Sequence, residues 1–90
     1  MEDPTSIDKI RERVRDSVLR KEETEHGYDI ILEDNVFSEL SQFTQHESEC
    51  CSFLAFRNTE GNDELKCEVR CTDDDLDITA VKEVIKTLFE

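Results

Sequence analysis

The chain has 90 residues, 24 acidic and 11 basic, giving a formal net charge of −13 with only 36% apolar residues. That length holds a single domain, residues 1–90, with a modest core. Its negative field repels nucleic-acid phosphates and anionic headgroups, and no stretch approaches the roughly 20 apolar residues of a membrane span, so neither nucleic acid nor a membrane is an expected partner.

Two causes fit so much acid: a cationic partner, or a high-salt (halophilic) setting in which dense carboxylates keep the surface hydrated and screening removes self-repulsion. Asp and Glu are spread along the whole chain, which favours the second. Met1-Glu2-Asp3-Pro4 lacks the basic-then-apolar order of a signal peptide, so a cytoplasmic location with reduced thiols is expected.

In chain order, Asp3-Pro4 opens a first helix, with Asp as cap and Pro in the first helical position. Ile7, Ile10, Val14 and Val18 continue it as one apolar stripe to near Lys21, and Arg11, Arg13 and Arg15 lie on the opposite, solvated face. Gly27 breaks the pattern. Tyr28, Ile30 and Leu32 then alternate as a strand with one apolar side, and His26 before them is expected in an exposed loop. Asp34 or Asn35 is expected to cap a second helix whose stripe runs Val36, Phe37, Leu40, Phe43, Glu47 and Cys50.

A second strand is predicted over Phe53–Arg57. A turn at Thr59–Asp63 follows, where Gly61 offers a positive φ, and Leu65, Cys67, Val69 and Cys71 alternate as a third strand. Thr72 is expected to cap a last helix with Asp73, Asp74 and Asp75 in its first turn and Ile78, Val81, Val84, Ile85, Leu88 and Phe89 on its apolar face. The order α-β-α-β-β-α predicts an α+β fold with a three-stranded sheet and three helices, like a truncated ferredoxin-like arrangement. The third strand lies between the first two, or the first strand lies at an edge beside the other two.

All four cysteines fall within 22 residues, and Cys50 and Cys51 are adjacent. In a reducing compartment that points first to metal binding or redox chemistry. A turn centred near Glu60-Gly61 would put Cys51 opposite Arg70 or Cys71, about 5 Å away, close enough to share a ligand or form a disulfide. Cys67 lies about 13 Å along the strand from Cys71, too far to join the same site. The candidate metal ligands are therefore Cys50, Cys51 and Cys71, with His46 one helical turn before Cys50 and Glu47 beside it. Thiolates in such a set suit zinc, copper(I), mercury(II) or arsenite. Glu47, Glu49 and the helix C-terminus disfavour free thiolates, so metal capture is expected before thiol catalysis. No phosphate loop, nucleophile elbow or acid–base set appears, and an enzyme is not expected.

Gly27-Tyr28, Leu40-Ser41-Gln42-Phe43 and the run Glu47-Ser48-Glu49-Cys50-Cys51-Ser52-Phe53-Leu54-Ala55-Phe56 resemble a family of small prokaryotic proteins with a Glu-x-x-Cys-Cys-Pro-Phe motif. Ser52 stands at the motif's proline. Related segments occur beside, or fused to, metal regulators of the mercury-resistance type. The resemblance implies a soft-metal or thiol role for Glu47, Cys50, Cys51 and Phe53. The vicinal pair opposite a strand cysteine points to a soft-metal sensor accessory, buffer or carrier, with a protein partner such as a metal-responsive regulator. Two other readings follow from the residues alone: a non-catalytic interaction module, for instance a homodimer with structural cysteines, and a redox switch that forms Cys51–Cys71.

Overall fold

The computed structural model describes residues 7–89. Three helices pack on one face of a four-stranded antiparallel sheet, in the order α1 (Ile7–Asp16), β1 (Val18–Glu23), β2 (Gly27–Glu33), α2 (Phe37–Cys50), β3 (Leu54–Glu60), β4 (Glu64–Cys71) and α3 (Ile78–Leu88). The strands lie in the order β1-β2-β4-β3. The fold is α+β with three helices, and its sheet has four strands where the sequence predicts three. The predicted three are β2, β3 and β4, with β4 between the other two.

The fourth strand corrects the first helix. That helix ends at Asp16, and Ser17 turns the chain, its hydroxyl donating to the Arg13 carbonyl at 2.9 Å. Val18 then pairs with Leu32 on β2. Val18 packs against the core as a strand residue, so its helical spacing from Val14 was ambiguous. Good helix formers such as Arg20, Lys21 and Glu22 are held extended by pairing with β2, a tertiary override of propensity. The register shifts between Val18 and Arg20, leaving Leu19 as an extra, exposed residue on this edge. The predicted cap and first turn at Asp3-Pro4 lie outside the described residues.

Both hairpins close on two-residue turns. Glu25-His26 lies between Thr24 and Gly27, whose N–H···O bond is 2.9 Å, and Asn62-Asp63 lies between Gly61 and Glu64, at 2.8 Å. No described residue takes a positive φ, so Gly61 does not supply the left-handed turn expected of it. Gly27 is needed for another reason. A Cβ there would sit 1.9 Å from the Val69 carbonyl oxygen, so only glycine admits this approach of β2 to β4.

Ile30, Leu32, Leu54, Leu65, Cys67 and Val69 form the buried face of the sheet. Against it lie Ile10 and Val14 of α1, Leu40 and Phe43 of α2, and Val81, Ile85 and Phe89 at the C-terminal end. Phe43 and Phe89 meet edge to face at 5.4 Å between ring centroids, a favourable aromatic geometry. Three of the predicted stripe residues, Phe37, Cys50 and Val84, are exposed instead. The expected caps also move. Neither Asp34 nor Asn35 caps α2 through its side chain, and α3 is capped by Asp77, which accepts from the Thr79 N–H at 3.0 Å. Asp73, Asp74 and Asp75 therefore precede the helix in a loop.

Candidate functional site

The last turn of α2 carries the densest chemistry. Cys50 is exposed, and its Sγ lies 3.7 Å from Nε2 of His46, one turn earlier. The i, i+4 spacing places both on one helical stripe, as the sequence predicts. An ion with bonds of about 2.3 Å to sulfur and about 2.05 Å to nitrogen would span that 3.7 Å at an S–metal–N angle of roughly 115°, near tetrahedral. The C-terminal end of a helix also favours a cation.

Cys51 ends the helix, its N–H donating to the Glu47 carbonyl at 2.7 Å, and its side chain packs partly buried against the core. Burial pushes its thiol pKa up, and the Glu47 and Cys50 charges add to that. The thiol is thus held in its protonated form, which a soft cation must displace.

Glu47 lies on the inner stripe of α2, as the sequence predicts. Its carboxylate is buried, with 6% of the side chain exposed, and accepts from the Arg11 guanidinium of α1 at 3.0 Å. It is a structural anion tying α1 to α2. Beside it on the helix, Thr44 is buried, donates to the Leu40 carbonyl at 3.0 Å and accepts from Asn58 of β3 at 3.0 Å. Arg11 Nε and Asn58 Oδ1, both buried, have no hydrogen-bond partner among the described residues.

Cys71 corrects the expected pairing. The β3–β4 turn is centred at Asn62-Asp63, so Cys71 pairs with Leu54, and Cys51 lies before the start of β3. The Cys71 thiol donates to the Asp73 carbonyl at 3.3 Å. Cys71 instead lines a hollow of about 360 Å³ with Glu25, His26, Asp73, Asp74 and Leu76. His26 is exposed in a turn, as the sequence predicts. The structure puts it at the tip of the β1–β2 hairpin, where its carbonyl accepts the Cys71 N–H at 2.9 Å. Only the pairing of β2 with β4 reveals that neighbourhood. Cys67 is fully buried between Ile30 and Asn58 across the sheet, and burial pushes its thiol up to about 12.

Among the described residues, no three His, Cys, Asp or Glu side chains converge as a preformed metal cage. No described helix is long and apolar enough to cross a membrane. Comparison with protein-family models, with curated proteins and with solved structures gives no significant match.

Proposed function

We propose that the chain captures a thiophilic cation at the end of α2, with Cys50 and His46 as the two placed donors and Cys51 as the nearest further thiol. The observation that carries this reading is the 3.7 Å Cys50–His46 contact beside a second cysteine. With Cys51 as a third donor beside Cys50 and His46, the site suits three-coordinate copper(I) or mercury(II) better than zinc, which in structural sites takes four ligands. Glu47, committed to Arg11, is left out of the ligand set. Cys71, grouped with His26 and Asp73, is left out as well. The role that fits is a sensor accessory, buffer or carrier, with a protein partner such as a metal-responsive regulator.

Mercury(II) titration of the reduced protein against a competing thiol tests this. The double variant Cys50→Ser/Cys51→Ser should lose at least tenfold in affinity, His46→Ala should lose less, and Cys71→Ser should match the parent. Full affinity in the double variant would end the proposal.

A second reading, a non-catalytic interaction module, is favoured by a separate observation: Leu76, in the loop before α3, and Val84, on α3, line one apolar groove and stand 41% and 39% exposed. Light scattering and partner capture test it, and a strict monomer that binds no protein would leave it without support.

A further inference from the structure

The exposed leucine and valine belong to a built surface. Phe53, Leu76, Asp77, Ala80, Val81 and Val84 line a groove of about 250 Å³ between the turn after α2 and the first half of α3. The N-cap Asp77 and the α3 residues Ala80, Val81 and Val84 together follow the i, i+3, i+4, i+7 spacing of one helical stripe. Val81 turns inward to the core, and Ala80 and Val84 stay exposed. Leu76 lines this groove and also the neighbouring hollow of Glu25, His26, Cys71, Asp73 and Asp74. The apolar groove therefore runs into an acidic depression.

The charge there is not internally balanced. Among the described residues, Glu25 meets only His26, at 3.8 Å, and Asp73, Asp74, Asp75 and Asp77 form no ion pair. Among the described residues no Lys or Arg lines either depression, and Arg70 faces an adjoining hollow that it shares with Glu25, His26, Asp29 and Glu68. The nearby helix cations are engaged elsewhere: Lys82 with Glu23 at 2.8 Å and Lys86 with Glu83 at 3.9 Å. A second copy is a poor occupant, because each chain carries −13 and would bring like charge to the same rim.

We infer that this surface receives a basic amphipathic segment of a partner protein, with its apolar side chains in the Phe53–Val84 groove and a Lys or Arg reaching the Glu25, Asp73 and Asp74 carboxylates. The inference rests on the interaction reading and names its surface and the chemistry of its partner. It uses no cysteine as a ligand, so it stands or falls apart from metal capture. An amphipathic helix laid in an apolar groove, with charge at the rim setting orientation and on-rate, is a known mode of recognition.

The test is fluorescence anisotropy with a labelled peptide carrying Leu at i, i+3, i+4 and i+7 and Lys elsewhere, beside the same peptide with Glu in place of Lys. The basic peptide should bind the full chain. Leu76→Ser/Val84→Ser, both at exposed sites, should weaken it at least tenfold, and Glu25→Gln/Asp73→Asn/Asp74→Asn should weaken it several-fold. Glu12→Gln/Glu60→Gln, distant exposed acids, should leave it unchanged. Retained affinity in the Leu76/Val84 variant, or equal losses from the distant variant, would reduce the effect to diffuse attraction and overturn the inference. Self-association of the parent chain that Leu76→Ser/Val84→Ser abolishes would also overturn it, while preserving the interaction reading with a second copy as partner.

Discussion

Cys67 and Cys50 carry the same thiol in opposite surroundings. Cys67 sits in the middle of β4 with no exposure, walled by neighbouring strands, and its proton is held up to a pKa of about 12. Cys50 stands exposed at a helix end beside an imidazole. The difference shows that a cysteine count says little about thiol chemistry until the fold assigns each sulfur to core or rim. In the interior a thiol behaves as a small apolar residue, and at the rim it is free to meet a cation.

The contrast is tested first at its interior pole. Phe43→Ala removes a fully buried ring packed on Phe89 and should cost about 3–5 kcal/mol in urea unfolding. Arg11→Ala strips the buried Glu47 carboxylate of its guanidinium partner and should cost about 1.5–3 kcal/mol. A loss below about 0.5 kcal/mol there would mean that water replaces Arg11 freely and that Glu47 is open to other ligands.

A third experiment uses alkaline pH. The folded Cys67 thiol resists ionisation up to about 12, well above its ordinary value near 9. Its stabilising contribution is therefore complete below about pH 9 and is lost as pH rises toward 12, at roughly 1.4 kcal/mol per unit. Cys67→Val should flatten that alkaline slope, and an unchanged slope would assign it to other groups. At the rim, Cys50→Ser should change stability by less than about 0.5 kcal/mol while removing the fastest-alkylating thiol. If Cys67 reacts as quickly as Cys50, the division between core and rim fails.

Period-two and period-three-to-four patterns carried much of this architecture. Tyr28, Ile30 and Leu32 share one face of β2, Leu65, Cys67 and Val69 share the buried face of β4, and Ile10 with Val14, Leu40 with Phe43, and Val81 with Ile85 fall on the inner stripes of their helices. Strand β1 was hidden because Val18 satisfies either period and its remaining residues are good helix formers, so only pairing with β2 distinguishes the two states. At the site, the Cys50–His46 contact was readable because it is local to one helix. The Cys51–Cys71 pairing failed on a non-local quantity. Moving the turn from Glu60-Gly61 to Asn62-Asp63 slides the whole ladder and sets Leu54 opposite Cys71. The grouping of His26 with Cys71 depends on the same long-range geometry.

The last strand of the sheet in sequence is an interior one in space. Because β4 lies between β2 and β3, a chain growing from its N-terminus holds β2 and β3 with facing hydrogen-bonding edges bare until Glu64–Cys71 arrives. That single segment completes both ladders and brings Leu65, Cys67 and Val69 into the core together. Fragments ending before Glu64 would expose two open strand edges on an apolar face, and their fate should be association rather than partial folding.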